Sequence, residues 1–150
     1  MHPPLPRDID GRVATLVTID GDGPVGIPVS TVCRVDDRRV LVGLGHRRQS
    51  LGRLQADRRC ALVLIGPGFA VNVRGTATVV RQALDCLEHL AAVLIDAEHV
   101  QDAMSVTTRV HESVRWGWSD APSRARHRAV LDELGRLAAE LRQEGGGSGH

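Results

Sequence analysis

The sequence has no lysine and no tyrosine: all 19 basic residues are arginine, and the aromatic side chains are two Trp and one Phe in 150 residues. With so few rings, any stacking on a flat ligand falls to very few candidates. Charge of one sign is also lacking. A formal net charge of +1 leaves no electrostatic footprint for nucleic acid. The three cysteines, Cys33, Cys60 and Cys86, are odd in number and lack C-x-x-C or Cys/His ligand spacing. They read as reduced core thiols of a cytoplasmic protein, and no metal site is expected. Apolar runs are interrupted before the ~18 residues of a membrane span, and MHPPLPRDID lacks a signal-peptide apolar region. Neither membrane insertion nor export is expected.

A nucleotide fingerprint is present in letters only. Gly21, Gly23 and Gly26 in TIDGDGPVGIPV fit G-x-G-x-x-G, but that pattern works where its glycines open a helix whose N–H groups face a pyrophosphate. Here IPVSTVCRV follows, where Pro28 and the β-branched residues favour a strand. A hairpin turn at DGDG explains the glycines better.

What the chain does have is strand character. Val13–Ile19 and Val25–Val35 form the expected hairpin, and DDRR turns the chain into VLVGLG at 40–45. HRRQSLGRLQADRR suits a short helix with Leu51 and Leu54 on one edge. CALVLI (60–65) and FAVNVRGTATVV (69–80) are two more strands about a GPG turn. From Gln82, the spacing of Leu84, Leu87, Leu90, Ala91, Leu94 and Ile95 predicts a helix to about Asp96. Ala103–Arg115 reads as a last strand closing on WGW. After Asp120-Ala-Pro a final helix carries Val130, Leu134, Leu137 and Leu141 as a seam for the barrel or a partner chain. The sum is a mainly β fold with peripheral helices (α+β): a six-stranded antiparallel Greek-key barrel in one domain over 1–143, with a flexible tail at 144–150.

The best anion site lies in GHRRQSLGRL. His46, Arg47, Arg48 and Ser50 stand between a strand end and a helix start, where side-chain donors and free first-turn N–H groups suit a phosphate monoester. A solvated charged turn is the plain alternative. The histidines His89, His99, His111 and His127 are scattered, with no triad or metal pattern.

In order and spacing, these features resemble the split-barrel flavoproteins similar to pyridoxamine 5'-phosphate oxidase. The resemblance runs from about Arg12 to Val80. It rests on VATLVTIDGDGPVGIPVS, RVLVGLGHRRQSLGRLQADRRCALVLI and VNVRGTATVV, and GPGFAVNVRGTA is similar to a segment of small bacterial FMN-binding proteins. The resemblance implies a homodimer of six-stranded split barrels with two FMN molecules in clefts at the subunit interface. It puts the flavin phosphate on Arg48, Gln49 and Ser50, with Arg47 adjacent; a Lys often stands in relatives where this chain has Gln49 or Ser50. Pro28, Val29, Ser30 and Thr31 would run beside the isoalloxazine edge. Asn72 and Arg74 would face the cofactor or the dimer seam, Arg74 as a cation for reduced flavin or in an interchain salt bridge.

Trp116 and Trp118 would share one side of an extended chain. By the resemblance they contact the partner's flavin; as ordinary buried residues they plug the core under the last helix, the reading their type favours. The implied activity is an FMN-dependent oxidation or reduction of an unknown small molecule. A deazaflavin (coenzyme F-420) reductase, with Arg53, Arg58 and Arg59 serving the longer anionic tail, is one alternative. A flavin- or haem-binding module without catalysis is another. No residue is singled out as a catalytic acid or base.

Overall fold

The computed structural model describes residues 2–147, so the last three residues of the expected tail lie outside the described residues. The chain forms β1 (Ala14–Asp20), β2 (Gly23–Val29), β3 (Val32–Arg34), β4 (Arg39–Gly45), α1 (Gln49–Ala56), β5 (Arg59–Gly66), β6 (Phe69–Arg81), β7 (Leu90–Asp102) and α2 (Ala121–Gly147). All strand pairings are antiparallel, in the order β2-β1-β5-β6-β7-β4-β3.

The expected hairpin forms. Asp20 pairs with Gly23 around a two-residue turn, and Gly23 has φ +140°, a conformation that favours glycine. The expected single strand from Val25 to Val35, however, breaks at Ser30–Thr31. Its first half pairs with β1 and its second with β4, so the strand count is seven rather than six. The break also shapes the sheet. Its two edge strands are joined by only two residues, which forces the sheet to curl round on itself. Thr31 holds the break: its hydroxyl donates to the Gly43 carbonyl at 2.7 Å and accepts from the Gly43 N–H at 3.1 Å.

Alternation along the strands fills the inside of the curl. Leu16, Val42, Leu44, Leu62, Leu64, Val73 and Ile95 are buried there, and α1 inserts Leu51 and Leu54 into the same core. The segment before β1 joins it through Leu5 and Ile9, held by Arg34 donating to the Leu5 and Pro6 carbonyls.

The helix expected from Gln82 to Asp96 is absent. Residues 82–89 are turns and Leu90–Asp102 is β7. Ala91, Val93 and Ile95 face the barrel core, while Ala92 and Leu94 face a second core beneath α2. A strand buried on both faces loses its period-two mark and reads as a continuous apolar run. The Leu spacing around it imitated a helix. β6 and β7 pass closely at a register shift beside Gly75, where a Cβ would collide with the Asp96 carbonyl.

The strand expected over Ala103–Arg115 does not form either. The segment is tethered at Ala103 N–H to the Ala70 carbonyl (2.8 Å) and at the Val110 carbonyl to the Gly68 N–H (3.1 Å), and Val106 and Val114 are exposed. Its β-branched residues find no continuous partner strand. The final helix does form, capped by Asp120 on the Ser123 N–H at 2.7 Å. Val130, Leu134, Leu137 and Ala138 are buried against Leu41, Ala92 and Leu94, so its seam packs on the barrel. Among the described residues no helix is long and apolar enough to cross a membrane.

Candidate functional site

The break between β2 and β3 opens a cleft of about 470 Å³. Pro28, Val29, Ser30 and Thr31 line one side, Gly43 to Gly45 and Arg48 the floor, and Trp116 and Trp118 the far wall, with His89 and Leu90 between them. Seven of the residues singled out in the sequence therefore meet in one place: Pro28, Val29, Ser30, Thr31, Arg48, Trp116 and Trp118.

Their roles differ. Pro28 is exposed and Ser30 half-buried, both open to a ligand, whereas Val29 is buried in the core. The Thr31 hydroxyl is engaged by Gly43 on both its donor and acceptor sides. The two tryptophans share one wall, as an extended chain requires. Trp116 is 48% exposed and is not a core plug. Trp118 is half-buried, its ring 4.8 Å from that of His127 on α2.

At the cleft floor, Arg48 precedes α1 with φ −82° and ψ 135°, and no side chain caps that helix. Its first turn also contains no acid. An uncapped N-terminus with free N–H groups is a place for an anion. Among the described residues, neither the Arg47 nor the Arg48 side chain makes a hydrogen bond or ion pair, and both are exposed. The other arginines named for an anionic tail are engaged. Arg53 pairs with Asp20 (3.4 Å) and Gln49 (2.7 Å), Arg58 donates to the Ala77 carbonyl and Thr78, and Arg59 pairs with Asp57 at 2.7 Å. Gln49 is thereby held by Arg53, Ser50 is buried at 2% exposure, and the His46 ring bonds the Gln82 carbonyl at 2.6 Å. The anion-binding capacity of HRRQS rests on Arg47, Arg48 and the helix start.

Asn72 and Arg74 are not part of this cleft. They point outward from β6, opposite the buried Val71 and Val73. Arg74 instead edges a second cavity of about 480 Å³ on the outer face of the sheet, with Val17, Ile19 and Ala61 in its floor and Arg59, Glu98 and His99 around it. Gly43, Gly45, His89 and Leu90 escaped the sequence reading. The glycine pair carried a signal: two glycines at period two in VGLG clear one face of a strand, and here Thr31 and Arg48 lie over them.

No family model matches the sequence, and no protein of curated function matches it significantly. Solved structures do match. A Lactobacillus delbrueckii protein provisionally named a pyridoxamine 5'-phosphate oxidase superposes with a TM-score of 0.56 at 19% identity, over 67% of this chain and 99% of that one. This chain has the pyridoxamine 5'-phosphate oxidase-like split-barrel fold. The same split barrel is found in an F-420 reductase, with TM-score 0.53 and 14% identity over 65% of this chain and 98% of that one. It recurs in HutZ, a haem storage protein of Vibrio cholerae, with TM-score 0.51 and 10% identity over 61% and 86%. At these identities the likeness is one of fold, and the fold serves proteins with different named roles. Among the described residues no group of three metal-ligating side chains occurs.

Proposed function

We propose that the protein is an FMN-dependent oxidoreductase acting on a small molecule, with the flavin in the cleft between β2, β4 and the tryptophan wall. One observation carries the reading: Arg48, whose side chain has no partner among the described residues, lines a ligand-sized and largely apolar cleft at the uncapped start of α1, with Arg47 adjacent in the chain. In this arrangement Arg47 and Arg48 hold the phosphate, together with the first-turn N–H groups. Ser30 and the backbone of β2, which has a single neighbour in the sheet, offer donors and acceptors to the polar edge of the ring. Trp116 and Trp118 exclude water from its face. FMN bound there supplies the electron and hydride chemistry, while the protein supplies position and electrostatics.

The reading includes a homodimer. Its support is the outer face of β1 and β5, where Val17, Ile19, Ala61 and Val63 are only partly covered and Ile65 is 45% exposed. A second copy on that face would bring Asn72 and Arg74 to the subunit seam, away from their own cleft. The deazaflavin alternative loses its specific support, because Arg53, Arg58 and Arg59 are engaged within the chain.

Absorbance of the purified protein and titration with FMN test the proposal. Oxidised-flavin bands, or saturable FMN uptake, are expected. The Arg47→Ala/Arg48→Ala variant should lose at least about 30-fold in FMN affinity, the loss of two charge-assisted hydrogen bonds, while riboflavin binding changes little. A colourless protein that takes up no FMN rejects the reading, and equal losses for FMN and riboflavin reject the phosphate site.

A further inference from the structure

The cleft does not end at Trp118. Behind the indole a smaller chamber of about 200 Å³ opens between the β2–β3 break and the first turns of α2. The two cavities share Ser30, Thr31, Leu90 and Trp118, so they adjoin, with Trp118 in the lining of both. At that size the chamber falls below the roughly 300–1,000 Å³ of drug-sized ligand pockets. It has room for a small molecule beside the larger cleft.

Its chemistry is one-sided. Leu87, Leu90 and Val130 make it apolar, and Arg126 is the charged group on its wall; no carboxylate among the described residues lines it. The Arg126 guanidinium donates to the Ser123 hydroxyl at 3.1 Å. That hydroxyl in turn donates to the Asp120 carboxylate, so both its roles are taken within the chain. Asp120, just before the helix, sits within electrostatic reach of Arg126, and its carboxylate is bound by the Ser123 N–H and hydroxyl as the helix cap. His127 completes the wall, half-buried against Trp118. Burial holds its pKa below the ordinary value, so at neutral pH it is a neutral hydrogen-bonding group and adds no second positive charge.

We propose that this chamber binds a small organic monoanion, a carboxylate on a short apolar body, with Arg126 as counter-ion. Its role as the substrate subsite rests on the flavin reading above; its anion chemistry does not. The carboxylate meets Arg126, and the apolar body lies against Val130 and the Trp118 ring. That ring wall sets the ligand beside the larger cleft. Nothing in the sequence pointed here, because Arg126 and His127 sit in a charged helical stretch, SRARHR, that reads as a solvated face.

The test is equilibrium dialysis of the purified protein, with and without added FMN, against radiolabelled benzoate and butyrate, with benzylamine as the cationic control. Saturable binding of one carboxylate per chain is expected. Arg126→Ala should weaken it at least about tenfold and Arg126→Lys less, while benzylamine binds at least about tenfold more weakly than benzoate. Arg126 is exposed, so its replacement should leave the unfolding transition unchanged, and FMN affinity should stay within about threefold. Absence of binding for both carboxylates, carboxylate binding indifferent to Arg126→Ala, or benzylamine bound as well as benzoate each overturns the proposal. Protein that binds FMN but neither carboxylate refutes this inference alone. Arg126-dependent carboxylate binding by protein that refuses FMN supports the chamber and refutes the flavin reading.

Discussion

Thr31 and Ser30 are neighbours on the cleft wall, and their hydroxyls differ in how far the chain engages them. The Thr31 hydroxyl both donates to and accepts from the backbone of Gly43, at 2.7 and 3.1 Å, where the sheet edge turns from β1 to β4. Gly43 is buried, so water cannot replace either bond. Thr31→Val keeps the shape and removes both. At roughly 0.5–1.5 kcal/mol net per hydrogen bond, with a further penalty for leaving a buried group unsatisfied, the expected loss is about 2 kcal/mol. For a chain of this length that corresponds to a fall in Tm of about 4–8 °C. Ser30→Ala should leave stability within about 0.5 kcal/mol, as a half-buried side chain without such a bond, and should instead weaken FMN through the ring edge. Urea unfolding followed by tryptophan fluorescence gives the stabilities, and FMN titration of the same samples gives the affinities. A Thr31→Val protein as stable as wild type but defective in FMN binding would refute the division, since the hydroxyl would then be serving the ligand.

Three further outcomes follow from single buried groups. Thr18 is 1% exposed and its hydroxyl has no hydrogen-bond partner, so Thr18→Val should stabilise the protein by about 1 kcal/mol; a loss of that size in urea unfolding would show that the hydroxyl is satisfied in solution. Burial pushes the Cys33 and Cys60 thiols up to about 11, whereas Cys86 is exposed and only raised by slight burial and the Glu133 carboxylate. At pH 8 a disulfide reagent should therefore titrate one thiol in the native protein and three after denaturation; a second thiol reacting before unfolding contradicts this. Because burial lowers the folded-state pKa of His127 below 6.5, the unfolded chain takes up its proton first as the pH falls. The contribution is present above pH 6.5 and is lost as pH drops through the lowered value, so the stability difference between wild type and His127→Gln should shift against wild type between pH 7.5 and 5. A difference independent of pH would show that His127 titrates normally.

How far the fold was legible depended on whether a strand had one wet face. β1, β5 and β6 each alternate between core and surface, and their period-two pattern is plain in the sequence. β7 has a core on each side: Ala91, Val93 and Ile95 belong to one, Ala92 and Leu94 to the other. The second core exists only because α2 returns across the sheet, with Leu134 in contact from more than thirty residues away in sequence. No local window contains that information. The break at Ser30–Thr31 is similar in kind, since nothing in VSTV announces that pairing changes partners there; the Gly43 backbone that secures it lies twelve residues on.

The site was legible to the extent that its parts were fixed by main-chain chemistry. A strand ending in glycines and a helix starting after arginines predicts an anion site, and among the described residues the Arg47 and Arg48 side chains beside that helix start have no partner. What sequence could not separate was one arginine from another, because availability is decided by partners. Arg53 looks as fit for a phosphate as Arg48, yet Asp20 and Gln49 hold it. Arg126 looks like solvated helix and is exposed, yet it lines a chamber with Trp118 and Leu90. In a chain with no lysine, 19 arginines compete for 18 acids, and the candidates for ligand binding are Arg48 and Arg126, which line cavities with no carboxylate among their described residues. Supplying one should therefore silence them selectively. Leu87, which lines the Arg126 chamber and is only half-buried, is the place to do it. Leu87→Glu should abolish benzoate binding while sparing FMN, because the new carboxylate would hold Arg126 as Asp20 holds Arg53. Unchanged benzoate affinity in that variant would mean that the ligand's anchor lies elsewhere.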